Sequence, residues 1–258
     1  MKTVLITGAS SGIGKQCAIL LAQKGFNLVL ISRNIESLKE LKEDIQKGND
    51  IEIDCFSCDL SKEDGPNQVF EYCKTNNIKI DVLINNAGFG DYGKFIDGDI
   101  NKYTNMIDLN DRSLVKMCYL FMNDLKNGGH IINIASIAAF MPGPYMAVYY
   151  ATKAFVLNFS LAINEELKKD NVRVSAICPG PVRTSFWQKA NTSMSETKEK
   201  YFARSPKQIA NTVFKAYEKR KVVIVDGLIN KLIVFFTRFI GRGLLSKIVS
   251  NAQNKLLK

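Results

Sequence analysis

Short runs that are apolar at nearly every position alternate along this chain with longer stretches in which apolar positions recur at helical spacing. The short runs lie at about residues 3–7 (TVLIT), 27–32 (NLVLIS), 51–56, 80–84, 130–135 (HIINIA), 172–178 (VRVSAIC) and 221–225 (KVVIV). Their length and continuous apolarity predict strands buried on both faces. Helical stretches near 12–24, 35–47, 62–76, 102–126, 149–169 and 206–219 separate them. The alternation predicts an α/β fold with a doubly wound, mostly parallel sheet of the Rossmann kind, filling residues 1–226 as one domain. A length of 258 residues suits one such domain, and no linker, low-complexity stretch or internal repeat divides it. Ligands of such sheets lie beyond the carboxyl ends of the strands, so chemistry is expected just after each run.

Charge is uneven. Residues 1–195 carry 21 basic and 21 acidic side chains, whereas 196–258 carry 14 basic and 4 acidic, so the whole net charge of +10 sits in the last quarter. The single histidine, His130, excludes most Ser-His-Asp and His-rich metal chemistry, and its place at the head of an apolar run suits the start of a strand. The six cysteines are scattered, and Cys55/Cys58 form a lone CxxC, which predicts reduced thiols and no metal. Met1-Lys2-Thr3 passes directly into the first strand without a secretory leader, so a cytoplasmic chain is expected.

The first strand runs into Thr7-Gly8-Ala9-Ser10-Ser11-Gly12-Ile13-Gly14 and then a helix. Glycines there allow a tight turn and close approach to a pyrophosphate, and the helix N-terminus offers free N–H groups and partial positive charge. The spacing is neither GxGxxG nor a P-loop, and taken alone it also fits a plain tight βα connection.

Four features come in order along the chain: TGASSGIG, Asn85-Asn86-Ala87-Gly88 after the fourth run, Tyr149-x-x-x-Lys153, and Pro179-Gly180 after the sixth. Together they resemble the ordered motifs of the short-chain dehydrogenase/reductase family over about residues 3–185. The resemblance implies that Asp59 and Leu60 meet the adenine, and that Asn86, Ala87 and Gly88 line the adenosine side. It implies that Pro179, Gly180, Val182 and Thr184 form the nicotinamide side. It also implies that Ser136 steadies the substrate oxygen, and that Asn110 holds a water in a proton relay. A homodimer or homotetramer is expected.

The choice of cofactor rests on the end of the second strand. NAD sites place an acid there for the ribose hydroxyls, and an acid would repel a 2′-phosphate. Here the residues are Ser32-Arg33-Asn34. A hydroxyl and a guanidinium suit the phosphate, which predicts NADP(H).

Tyr149 and Lys153, four apart, share one face of a helix. A phenol is a poor base at neutral pH unless a nearby ammonium favours the phenolate. Tyr150, three before Lys153, competes on spacing alone; the family pattern selects Tyr149, with Lys153 also bonding the nicotinamide ribose.

Residues 185–205 are expected to cover a carbonyl or alcohol substrate of apolar or mixed character, with Phe186 and Trp187 as a wall and Phe89, Met141 and Tyr145 nearby. From Leu228, residues Ile229, Leu232, Ile233, Phe236, Phe239 and Ile240 recur at helical spacing among Lys231, Arg238 and Arg242. This basic extension, 227–258, is too interrupted by charge to span a membrane. It reads either as a helix docked on the domain or on a second subunit, or as an interfacial helix making peripheral membrane contact through 228–249; an acidic carrier protein is a third partner. Nucleic acid is not expected, because no groove-reading motif accompanies the charge. The functional expectation is an NADP(H)-dependent oxidoreductase. A membrane-peripheral lipid or acyl-chain ketoreductase and a non-catalytic dinucleotide-binding regulator are the alternatives.

Overall fold

A computed structural model gives the structure of residues 1–192 and 203–254. Among these residues seven strands form one sheet: β1 (Thr3–Thr7), β2 (Asn27–Ser32), β3 (Ile53–Ser57), β4 (Val82–Asn85), β5 (His130–Ile134), β6 (Arg173–Cys178) and β7 (Val223–Val225). Their order is 3-2-1-4-5-6-7 and every neighbouring pair is parallel. The helices are α1 (Gly12–Gln23), α2 (Ile35–Gln46), α3 (Gly65–Thr75), α4 (Ile100–Ile107), α5 (Ser113–Leu120), α6 (Met122–Leu125), α7 (Ala147–Glu166), α8 (Phe186–Lys189), α9 (Pro206–Lys219), α10 (Leu228–Thr237) and α11 (Arg242–Asn254).

The sheet is apolar on both faces because successive side chains point to opposite sides. Val4, Ile6, Leu28, Leu30 and Ile132 enter the layer that also holds Ala18 and Leu21 of α1, Leu38 and Leu41 of α2, and Ile209 and Val213 of α9. Leu5, Val29, Ile31, Leu83 and Ile131 enter the opposite layer, with Val69 of α3, Met117 of α5 and Val156 of α7. Each such aliphatic side chain contributes roughly 1.5–3 kcal/mol when fully buried. Helix starts are locally specified. Asn34 caps α2 by accepting from the Ser37 N–H at 2.8 Å, and Ser205 and Gln208 form a capping box ahead of α9, which has Pro206 in its first turn.

Two expectations need correction. The stretch 102–126 is not one helix: a π-helical turn at Asp108–Arg112 separates α4 from α5, and α6 follows after Phe121. The extension is likewise not one helix, because the chain breaks around Gly241 between α10 and α11. No helix among the described residues is long and apolar enough to cross a membrane.

Candidate active site

The strand order reverses between β1 and β4, so the loops leaving these two neighbours part there and open a crevice beyond their carboxyl ends. Thr7 and Asn86 tie the two loops together. The backbone N–H groups of Asn86 and Ala87 both donate to Thr7 Oγ1 at 2.9 Å, and Asn86 Nδ2 donates to the Thr7 and Gly8 carbonyls at 2.9 and 3.2 Å. The glycines are required by space and conformation. Gly8 and Gly12 have φ of 66° and 55°, and a Cβ on Gly14 would lie 2.4 Å from the Gly8 carbonyl oxygen. Ser11, the N-cap of α1, makes no capping bond, and no acid occupies the first turn. The end of α1 therefore presents uncapped N–H groups to the crevice.

At the end of β2, Ser32 is buried and bonded within its own turn, its hydroxyl donating to the Asn34 carbonyl at 3.1 Å. Arg33 is exposed, and its guanidinium has no hydrogen-bond or ion-pair partner among the described residues. Asp59 lies ahead of α3, which starts at Gly65 with Asp64 as its N-cap. Instead Asp59 Oδ1 accepts from the Ser61 hydroxyl and N–H at 2.8 and 3.0 Å. Partial burial pushes its carboxyl up, but these bonds and the charge of Arg33 outweigh it and hold it below its ordinary value. The side chains of Leu60 and Ile13 pack into the core layers, so a ligand here meets their backbone.

Beyond β5 and at the start of α7 the polar side chains converge. Ser136 Oγ accepts from the Ala138 N–H at 3.1 Å, and its proton points to the Pro179 carbonyl at 3.5 Å, the outer limit of a hydrogen bond. Lys153 is buried, donates to the Ile134 carbonyl at 2.9 Å, and lies 5.8 Å from the centroid of the Tyr149 ring. Burial lowers its ammonium to about 8, against the opposing charge of Asp111. The Tyr149 phenol is pushed above its ordinary value by burial, with Ser136, in hydrogen-bonding reach, pulling the other way. Burial thus outweighs the lowering expected from Lys153, and Phe186 packs 5.2 Å from the Tyr149 ring.

The structure separates Tyr149 from Tyr150. The Tyr150 hydroxyl accepts from Gln253 Nε2 at 2.7 Å, and its ring fills the space beside Gly143, whereas Tyr149 faces Ser136. Asn110 lies in the π turn and is fully occupied: it accepts from the Phe89 N–H at 3.1 Å and donates to the Phe89 carbonyl and Thr152 Oγ1, both at 3.0 Å. That turn joins the loop after β4 to α7, and π turns recur at functional sites. Gly88 fits between them, since a Cβ there would lie 2.9 Å from Asn110 Oδ1 and 3.6 Å from Lys153 Nζ.

After β6, Val182 bridges to Arg204, and the Thr184 methyl lies 3.1 Å from where a Cβ of Gly12 would be, closing the crevice over the glycine turn. Gly180 packs against Asn230 of α10. Trp187 donates from its indole to the Val182 carbonyl at 3.0 Å, so it braces this loop. Of the expected cover, 193–202 lie outside the described residues.

Three contributors escaped the sequence reading. Met146 packs with Phe186 and Tyr149 around Gly90. Gln253 arrives from the far end of the chain, with nothing local to mark it. Asp111 could have been found as an acid within the apolar period of its segment; its Oδ1 is buried without a partner, and burial raises its carboxyl to about 7. His130 sits at the opposite end of the sheet, bonded to Ser175 Oγ at 2.8 Å and lowered to about 4 by burial. All six cysteines are free, and no metal-binding group of His, Cys, Asp and Glu occurs among the described residues.

A parallel sheet with a glycine turn at its switch point, and a Ser, Tyr and Lys gathered beside it, defines a dinucleotide-dependent oxidoreductase class. The family model for short chain dehydrogenase matches residues 2–195, and the chain belongs to that family. It is 31% identical to the 17-beta-hydroxysteroid dehydrogenase type 3 of Mus musculus, over 80% of this chain and 68% of that one. It is also 31% identical to the very-long-chain 3-oxoacyl-CoA reductase of Rattus norvegicus, over 78% of this chain and 66% of the relative. Among solved structures, a short-chain dehydrogenase from Sphingobium yanoikuyae in complex with NADPH superposes with a TM-score of 0.80 at 29% identity, covering 88% of this chain and 89% of that one. As a family member the chain is an oxidoreductase acting with a nicotinamide cofactor on a small-molecule substrate.

Proposed function

We propose that the chain interconverts carbonyl compounds and secondary alcohols with NADP(H), with Tyr149 as the acid/base. The carrying observation is the grouping of Ser136, Tyr149 and Lys153 at the carboxyl edge of the sheet, beside the glycine crevice. The crevice fits a dinucleotide: Gly8 and Gly14 let its walls pack so closely that a Cβ at either would strike Asn86, and the α1 N–H groups are uncapped. When bound, the cofactor supplies or accepts the hydride at its nicotinamide.

The chain's residues do the rest. Arg33, exposed at the end of β2 where no acid stands, takes the 2′-phosphate, and the Ser32 hydroxyl joins it by turning its proton from the Asn34 carbonyl. Val182 and Thr184 hold the carboxamide, and Asp59 holds the adenine. Lys153 keeps two N–H groups beyond its bond to Ile134, enough for the ribose and for the proton path to Tyr149. In reduction Tyr149 delivers its proton to the carbonyl oxygen. Ser136, whose proton is only loosely held, donates to that same oxygen as negative charge grows on it. Phe186 leaves the Tyr149 ring to admit substrate and then excludes water.

Phe186, Met146 and Tyr145 give the cleft an apolar wall, which favours a steroid-like or acyl-chain ketone. The names of the two mammalian relatives point the same way. The test is NADPH oxidation against a carbonyl panel, with Tyr149→Phe as control. A loss of about 10²–10⁴ in kcat with cofactor binding retained is expected; equal rates in the two proteins would sink the assignment.

A further inference from the structure

Helices α10 and α11 expose what a soluble domain normally hides. Leu228, Leu232, Phe235, Phe236, Phe239 and Leu244 are each 50–74% exposed. On α10 only Asn230 and Val234, one turn apart, face the body. A helix apolar nearly all round needs a second apolar neighbour, and large apolar side chains gathered on one exposed surface mark an interaction site. The charge pattern identifies that neighbour. Residues 228–254 contain no acid, while Lys231, Arg238, Arg242 and Lys247 lie among the apolar side chains. None of the four forms an ion pair among the described residues. A second copy of the chain would set these cations against each other across a two-fold interface. A surface that is apolar in depth and anionic at its edge satisfies both, because lysine and arginine lay their stems along the apolar face and lift their charges to the headgroups.

We propose that the α10–α11 surface docks on an anionic lipid bilayer. Docking also has a structural route to the cleft. α11 carries exposed Leu244 in its first turn and Gln253 in its last, and Gln253 is bonded to Tyr150 and, through its carbonyl, to Tyr92. An apolar ketone partitioned into the bilayer would then be collected beside the site that consumes it.

The test is co-sedimentation of the full chain with phosphatidylcholine vesicles, with and without phosphatidylglycerol, at low and high salt. Binding to the anionic vesicles is expected to exceed binding to the neutral ones at least tenfold and to weaken with salt. Each cation near such a surface contributes about fivefold, so neutralising Lys231, Arg238 and Arg242 together to Gln should cost on the order of a hundredfold. Phe236→Asp with Phe239→Asp should lose at least tenfold, with NADPH binding reporting that the variant is folded. Hydrogen exchange on the unsubstituted chain should show vesicle-dependent protection over 228–249, a readout that needs no variant. The proposal is overturned if the chain stays in the supernatant with anionic vesicles at low salt, or if the phenylalanine variant partitions unchanged. It is equally overturned if vesicles give no protection over 228–249, or if those helices are instead covered in a homodimer that the phenylalanine variant splits.

Discussion

The two ends of this chain are built on opposite rules. Through residues 1–192 charges balance and, Asp111 apart, buried polar side chains are paired. Asn85 donates to Asn133 at 2.9 Å, Asn133 to Ser160 at 2.9 Å, and Asn110 spends both ends of its amide on neighbours. In α10 and α11 cations are unopposed, large apolar side chains face outward, and contact with the body runs through two narrow stripes, Asn230/Val234 and Leu245/Val249/Gln253. The difference teaches where specificity is stored. The body fixes geometry for chemistry that tolerates little displacement; the terminal helices present a surface chemistry that composition alone can supply.

The largest effect that would sharpen this contrast lies at the edge of the body, at Arg33. If its guanidinium meets a 2′-phosphate, Arg33→Ala removes charge-assisted hydrogen bonds worth about 1.5–3 kcal/mol each. The KM for NADPH should rise roughly 10- to 100-fold, with that for NADH nearly unchanged. A parallel rise for both cofactors would show Arg33 to be general scaffolding and would remove the basis for NADP preference.

The same contrast explains what the sequence made legible. All seven strands could be read: the five inner ones are apolar runs buried on both faces, while β3 and β7 are half-buried edges. Tyr149 and Lys153 could be read as a helix-face pair, yet choosing Tyr149 over Tyr150 needed the family pattern; in space the choice is made by Gln253, a hundred and three residues away. Asn110 was placed on a helix, but its π turn was invisible, since the 3.6-residue period does not register one widened turn. The terminal helices were legible as amphipathic and basic. How little of their apolar surface meets the body was not, because periodicity gives a face without saying what covers it.

Asp111 offers a smaller effect that tests how finely the body is tuned. Its carboxyl is raised to about 7 by burial, and its negative charge in turn raises Lys153, which stands at about 8. If reduction needs the Lys153 cation, as in the proposed proton path, kcat/KM should decline above about pH 8. Asp111→Asn removes the charge that holds Lys153 up, and the decline should move to lower pH by up to about one unit. The stability sign is separate. A raised carboxyl favours the folded state at low pH, and that advantage is lost as pH rises from about 4 through about 7. The thermal midpoint of the unsubstituted protein should therefore fall across that window, and the slope should flatten in Asp111→Asn. An unchanged pH–rate profile would mean that Asp111 and Lys153 do not communicate.

The smallest expected effect lies where the last helix meets the wall of the cleft. Gln253 donates to the Tyr150 hydroxyl at 2.7 Å, its own carbonyl accepts from the Tyr92 hydroxyl at 2.7 Å, and its Oε1 is buried without a partner. Gln253→Ala keeps the backbone bond to Tyr92 but leaves the Tyr150 hydroxyl without its donor, a loss of about 1–3 kcal/mol at a buried site. Tyr150 packs edge-on to Tyr149 at 6.1 Å, so a shift of its ring reaches the wall of the substrate cleft without touching the crevice that holds the cofactor. KM for the ketone should rise about two- to tenfold, with KM for NADPH unaltered and kcat little changed. If ketone KM stays constant while the thermal midpoint drops, α11 only braces the fold and the two regions are independent. If ketone KM moves alone, the terminal helices are part of the cleft, and Gln253 joins the surface they present to the reaction.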